Sequence, residues 1–198
     1  ASNNTAVGAS ALNANTTGTG NSALGKSSLA ANTTADNNTG LGANALGANT
    51  TGAQNTAVGT YALDANTTGS YNTGVGYAVF DSNTTGANNT AVGGLALDAN
   101  TTGAHNVAVG YNAGTAVTTG IENTCLGASA GDTTTTGTNN VLLGSGASVS
   151  AVDGSGANVL GRNVSGEAGY TTLGSGSDDI RAAHGNVTWA TVSDERYK

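Results

Sequence analysis

The sequence predicts an all-β fold, a parallel β-solenoid built from 17-residue coils. The first observation is a repeat: an Asn that opens a segment like Asn-Thr-Ala-Val-Gly recurs every 17 residues, nine times between residues 4 and 156. A period of 17 is too short for helix-pair repeats, and the abundant Thr, Val, Gly and Asn favour short strands and turns over helix. The 198 residues include no Pro, so every backbone N–H is available for a ladder between coils.

Each coil is expected to begin with a short strand. In Asn-Thr-Ala-Val-Gly, the two-residue period of a strand places Thr and Val on one face and Ala on the other. Equivalent residues of successive coils then lie about 4.8 Å apart. The Asn column is therefore expected to form a ladder of amide hydrogen bonds, and the Leu and Val columns a continuous dry seam. The Asn-Thr-Thr-Gly segment supplies a turn in which Asn or Gly tolerates positive φ. In the central coil the structural positions are Asn55, Val58, Gly59, Leu63, Asn66 and Gly69.

The repeat divides the chain into three parts. Residues 1–157 hold the nine coils, and residues 158–176 hold shortened, degenerate repeats that are expected to cap the stack and protect its last strand edges. Residues 177–198 carry more charge and the only Trp, and are expected to be a connector into a further domain. The Leu column already fades before the cap, because its last three positions are Gly114, Gly131 and Ser148.

The energetics of one coil point to assembly of several chains. Two large apolar side chains per coil contribute roughly 3–6 kcal/mol on burial, whereas ordering costs more than about 1 kcal/mol per residue. A lone stack would be marginal even with hydrogen bonds between coils. We therefore expect a second hydrophobic surface to be buried between chains, around a threefold axis.

Charge and cysteine content exclude several classes of function. Five basic residues against 12 acidic ones give a net charge of −7, which disfavours a nucleic-acid partner. No 18-residue apolar run is present, so no membrane span is expected in this segment. The single Cys125 permits neither an internal disulfide nor a Cys-rich metal site, and is expected to be a small buried hydrophobic residue.

The Asn-Thr-Ala-Val-Gly segments at 55–59 and 89–93 resemble the head repeats of trimeric autotransporter adhesins of the YadA type. That resemblance covers about residues 4 to 157, although a period of 17 is longer than the usual unit of that family. It implies left-handed parallel β-rolls packed as a homotrimer.

The C-terminal segment resembles the entry to the intramolecular chaperone domain of peptidase family S74. That family's Ser-Asp-x-Arg-x-Lys motif is matched by Ser193, Asp194, Arg196 and Lys198. The resemblance implies a chaperone domain after the connector, with Ser193 as the nucleophile of self-cleavage just after it and Lys198 as its base. A Lys base requires a surrounding fold that lowers its pKa, and a chain cut after Ser193 would not keep Lys198.

No cofactor or metal site is expected. Asp64, Asp81 and Asp98 share one column, with Asp132 further along, and a solvated turn face is favoured over Ca²⁺ because each ion needs several oxygen ligands. His105 and His184 lack companion ligands and are expected to be surface or turn residues. The Asn-x-Thr sequons are generated by the repeat itself.

Four tyrosines of the central repeats are candidate binding residues: Tyr61, Tyr71, Tyr77 and Tyr111. As exposed aromatic side chains they would stack on sugars of a cell surface, or they would pack between chains. Paired Thr residues such as Thr67 and Thr68 raise an ice-binding array as a minor alternative. Adjacent strand residues point in opposite directions, so only one of each pair would join a flat face.

The sequence thus predicts a structural host-attachment module of a trimeric viral tail fibre, located on the virion, whose partner is a cell-surface glycan or protein receptor. The alternative is the head of a bacterial trimeric autotransporter on the cell surface, and the minor alternative is an ice- or glycan-binding solenoid. An enzyme is not expected beyond the possible junction at Ser193. A glycan depolymerase would need paired carboxylates in a groove, and Glu occurs only at Glu122, Glu167 and Glu195.

Overall fold

The computed structural model describes residues 1–176, 178–185 and 190–191, and over these residues the chain is all-β without a helix. Nearly all strands are short, because each coil contributes three strand residues before it turns. The strands are β1 (Thr5–Val7), β2 (Ser22–Leu24), β3 (Thr39–Leu41), β4 (Thr56–Val58), β5 (Thr73–Val75), β6 (Thr90–Val92), β7 (Val107–Val109), β8 (Thr124–Leu126), β9 (Val141–Leu143), β10 (Ser148–Val149), β11 (Asn158–Arg162), β12 (Ser165–Gly166), β13 (Tyr170–Ser175), β14 (Asp178–Ala183) and β15 (Ala190–Thr191).

The predicted parallel β-solenoid is confirmed. Strands β1 to β9, β11 and β13 stack in parallel into one sheet of about ten coils, and each strand pairs with the strand 17 residues later, as Thr56 pairs with Thr73. The last coil is shorter, because Asn158 pairs with Thr171, 13 residues on. Strand β14 then adds antiparallel to β13, and β10 and β12 form a separate two-stranded sheet. The antiparallel strand covers the edge at which the parallel stack ends.

The predicted Asn ladder forms in the interior of the stack. The backbone N–H of Asn72 donates to Oδ1 of Asn55 at 2.9 Å, and the Asn55 side-chain amide donates to the carbonyl of Gly69 at 2.8 Å. This pattern repeats in every coil until the N–H of Ala157 donates to Oδ1 of Asn140. Because each buried amide is paired on both sides, the ladder fixes one coil above the next without leaving a polar group unsatisfied.

A second Asn ladder runs parallel to the first through the turn. The Asn66 amide donates to Oδ1 of Asn49 at 2.8 Å and also to the carbonyl of Gly69 at 3.0 Å. The Gly69 carbonyl therefore accepts from both ladders. A Cβ at Gly69 would overlap the carbonyl of Gly86, so close backbone approach favours Gly in this column, whose one exception among the nine coils is Ala35.

The prediction that positive φ lies in the Asn-Thr-Thr-Gly turn was wrong, since neither Asn66 nor Gly69 adopts it. Left-handed backbone occurs instead beside the strands, at Tyr61 (φ 59°), Leu63 (φ 55°) and Tyr71 (φ 62°), and at the equivalent residues of most other coils. Gly59 has φ +132° and would also place a Cβ against the carbonyl of Gly76, which explains why this column is always Gly.

The core includes two apolar columns that face each other across the coil. The Leu63 column packs from the turn side against the strand residue that points inward, such as Ala57, and both are fully buried. Where the Leu column gives way to Gly131, the strand side enlarges to Cys125 and Leu142. A Cβ at Gly131 would lie 2.5 Å from the Cys125 sulfur. At Gly131 the volume lost from the Leu column is thus supplied by the opposite wall, which keeps the interior filled.

Cys125 is buried, as predicted, and burial raises the pKa of its thiol to about 12.

The Val column differs from the expected dry seam. Thr and Val of each strand point outward and Ala inward, as the alternation predicts, so in the single chain the Val column is exposed while the Leu column is buried.

The second Asn ladder ends inside the stack. Its next position after Asn100 is the fully buried Val117, whose side chain has no hydrogen-bond donor, and Oδ1 of Asn100 has no partner. The ladder therefore carries one unpaired acceptor at its C-terminal end.

We expect Asn66→Ala to destabilise the fold by about 1–3 kcal/mol more than Asn100→Ala. Each change removes one buried Asn side chain. Asn66→Ala leaves the Asn49 oxygen without a donor and so adds one unpaired acceptor. Asn100→Ala leaves the Asn83 oxygen without a donor but also removes the unpaired Asn100 oxygen, so the number of unpaired acceptors does not change. Urea denaturation of the two variants measures the difference. Equal losses of stability would show that continuity of the ladder carries no energy.

Candidate interaction surfaces

The outer face of the large sheet carries a long apolar surface. The outward position at the end of each parallel strand is aliphatic through ten coils, and we call this column the valine ridge: Val7, Leu24, Leu41, Val58, Val75, Val92, Val109, Leu126, Leu143 and Leu160. Its members are half-exposed, from 37% at Val75 to 56% at Val7, apart from three that are more covered. The alternation of side chains along a strand places the valine ridge on the outer face, because the residue between Thr and Val points inward and fills the core.

A second column lies beside the valine ridge on the same face. It consists of Thr or Ser through most of the stack and of Val107 and Val141 near its end. Neither column contains a charged residue. At the N-terminal end Val7, Leu24 and Leu41 line a shallow apolar hollow of about 280 Å³. Along these two columns the face is therefore neutral, on a chain whose net charge is −7.

The four predicted tyrosines separate into two groups. Tyr61, Tyr77 and Tyr111 follow their strands and line the long edge of the sheet that is formed by the C-terminal strand ends. Tyr71 precedes β5 and lies at the opposite long edge, formed by the N-terminal strand ends. The Tyr61 and Tyr77 rings meet edge to face with centroids 6.3 Å apart. Tyr111 lies beside Gly94, where an added Cβ would come within 3.7 Å of its ring. All four are exposed, and sequence reasoning missed the grouping, although each residue's offset from its strand encodes it.

The Asp column forms a stack of carboxylates on successive coils. Burial raises the pKa of Asp64 and Asp81, and in each case the next Asp along the stack adds a smaller upward effect. Thr115 replaces Asp in the coil after Asp98 and donates to its Oδ1 at 2.7 Å. Within the described part of the chain, no three His, Cys, Asp or Glu residues group as metal ligands would.

The paired threonines have different roles. The Thr67 hydroxyl donates to the carbonyl of Thr84 at 3.0 Å, and this bond repeats from coil to coil. Thr68 and its equivalents are exposed. One Thr of each pair is thus occupied within the stack, and the other forms a single file on the surface.

The two histidines lie in exposed turns at separate places, as predicted. His105 has φ 59° in the segment before β7, and His184 follows β14, where its Nε2 is 3.3 Å from both Asn158 and Thr171. Glu167 of the cap and Arg181 of β14 form an ion pair. The predicted junction residues Ser193 and Lys198 lie outside the described residues.

Comparisons with known proteins returned no match to a family model, a curated protein or a solved structure. None of the described segments forms an apolar helix of membrane-spanning length.

The stacked carboxylates should make stability depend on pH. A carboxyl whose pKa is raised in the folded state contributes stability below its unfolded pKa, and this stability is lost as pH rises through the folded pKa. We expect Asp81→Asn to stabilise the protein at pH 7 by a few tenths of a kcal/mol, and to flatten the decline in stability as the pH rises above the ordinary Asp pKa of about 4. Thermal melts over this range measure the effect.

Asp132→Asn is the matched control, because its column holds Thr115 and Val149 in the adjacent coils rather than Asp. If both variants change stability equally, repulsion within the stack is not the cause.

Proposed function

We propose that this chain is a rod-shaped structural and host-attachment module of a trimeric viral tail fibre, in which three copies bury their valine ridges against one another. The observation that carries the proposal is the valine ridge itself. It extends from Val7 to Leu160 along the whole parallel stack, and half-exposed members such as Leu24 (50%) and Leu126 (47%) occur near both ends.

A ridge of this length is unusual on a protein that stays monomeric. Soluble monomers rarely expose contiguous apolar patches beyond a few hundred Å². A second copy of the chain presents the same ridge with the same spacing of about 4.8 Å between coils, so that every coil of one chain meets a coil of the next. The neutral sheet face also allows three chains of net charge −7 to approach without direct repulsion at the interface.

Two resemblances support the assignment to a fibre. The repeats at 55–59 and 89–93 resemble autotransporter heads, which are homotrimers, and the segment from Ser193 to Lys198 resembles the entry to a fibre chaperone domain. The first alone would fit a bacterial adhesin equally well, and the second favours the virion. In either setting a rod with three copies of each surface group in every coil gains binding strength by multivalency.

The assembly is tested by mass in solution. We expect the wild-type chain to sediment at three times its chain mass. Val75→Lys with Val92→Lys should give monomers, because buried, unpaired charges at the centre of the interface cost several kcal/mol. Thr68→Lys with Thr85→Lys adds the same charge on an exposed column away from the sheet face and should leave the trimer intact. A folded wild-type monomer would overturn the proposal.

The fibre assignment is tested by processing. In a reading frame that continues through a chaperone domain, we expect cleavage after Ser193, and Ser193→Ala should leave the chain uncut. Electrophoresis of the two proteins reads this out, with Ser177→Ala as a control outside the motif. An uncut wild-type chain, or a coiled coil and membrane barrel in place of the chaperone, favours the autotransporter head.

A further inference from the structure

We propose that Tyr61, Tyr77 and Tyr111 form a platform that binds a neutral polysaccharide chain. The proposal deepens the host-attachment role and rests on it, since it names the ligand class and the surface. We call these three residues, with Gly94 between them, the tyrosine platform.

The spacing of the platform follows from the coils. Tyr77 and Tyr111 occupy the same column two coils apart, which separates them by roughly 10 Å along the rod. This is about the length of two linked hexose units. The coil between them contributes Gly94, which has no side chain to obstruct a ligand crossing from one ring to the other. Tyr61 extends the platform by one coil through its edge-to-face contact with Tyr77.

The platform is both exposed and rigidly held. Tyr77 and Tyr111 are 60% and 61% exposed, and Tyr61 is 40% exposed. Their backbones belong to the hydrogen-bond ladder between coils. The N–H of Tyr61 donates to Ala43 at 3.0 Å, and the carbonyls of Tyr77 and Tyr111 accept from the coils that follow, at 3.0 and 2.9 Å. Aromatic rings on a fixed backbone lose little conformational freedom on binding.

The chemistry of the surroundings selects a neutral ligand. From residue 43 to residue 129, the two columns that carry the tyrosines contain no charged residue. Aromatic faces stack on the apolar faces of sugar rings, while Thr60 and Ser129 offer hydroxyls beside them. Lys26 and Arg162 belong to the same column but lie three coils before Tyr77 and three coils after Tyr111, so within this range no Lys or Arg is present to pair with a carboxylate or sulfate. The net charge of −7 also repels polyanions. An uncharged hexose polymer therefore fits better than an acidic one.

The position of the platform distinguishes it from the chain interface. The tyrosines follow Gly59 or its equivalents and flank the sheet, so they lie beside the valine ridge and not on it. Packing between chains would require the rings to be covered in the trimer. Binding and assembly can be measured separately on the same variants.

The test is calorimetric titration of the full chain with four hexasaccharide probes: cellohexaose, chitohexaose, maltohexaose and the anionic hyaluronan hexasaccharide. We expect at least one neutral probe to bind and the anionic probe not to bind. Tyr77→Ala and Tyr111→Ala should each weaken binding about ten-fold. Gly94→Val, whose Cβ has ordinary space, should block the path between the rings and weaken binding similarly.

Tyr71→Ala is the matched control, because Tyr71 is equally exposed (58%) at the opposite edge of the sheet. It should bind as the wild type does. The proposal is overturned if no neutral probe binds at millimolar concentration, if the anionic probe binds best, or if Tyr71→Ala weakens binding as much as Tyr77→Ala. It is also overturned if Tyr77→Ala lowers the oligomer mass, which would make the ring a packing residue. If the wild-type chain is monomeric but the variants still affect binding as expected, the proposed trimer is wrong and the proposed tyrosine platform stands.

Discussion

The stacking of buried Asn side chains at a spacing of 17 residues is the constraint on which the rest of the structure depends. Each Asn such as Asn55 accepts from the backbone of the coil that follows and donates to a turn carbonyl of its own coil. A coil with one residue more or fewer would move this amide out of line and strand buried donors and acceptors. Burying unpaired amides is costly, so the ladder selects a constant coil length until the stack reaches its cap.

That constraint explains the Gly at position 69. Two amide ladders converge on one carbonyl at Gly69, and the crowding leaves no room for a side chain. Gly59 is required for a different reason, because its backbone adopts φ +132°. The Leu63 column accepts a left-handed backbone without being Gly, since complete burial of its side chain offsets a strain of about 1 kcal/mol. In these coils the burial of an apolar side chain thus outweighs the strain of a left-handed backbone.

The features that recur in every coil could be predicted from the sequence, and those that depend on contact across the coil could not. The period, the Asn ladder and the inward Ala all follow from strand alternation and in-register stacking. The positions of positive φ were misplaced, because Leu63 and Tyr61 give no sequence signal for it. The exchange of volume between Gly131 and Cys125 requires knowledge of which columns face each other. For the candidate site, the four tyrosines were identified, but the separation of Tyr71 from the rest was missed, although its position before its strand encodes it.

In this solenoid the interior residues are constrained by stacking on their equivalents in neighbouring coils, whereas the residues at the corners, where the chain turns after each strand, can vary. The Asn and Gly columns tolerate few substitutions because each residue contacts its equivalents above and below. The corner residues that follow each strand contribute mainly backbone hydrogen bonds to the stack, so their side chains can differ from coil to coil. The aliphatic ridge persists through ten coils, which fits an interface between identical chains, whereas the tyrosines occupy only the central coils. A feature present in all coils suits assembly, and one confined to a few coils suits recognition of a ligand of limited length.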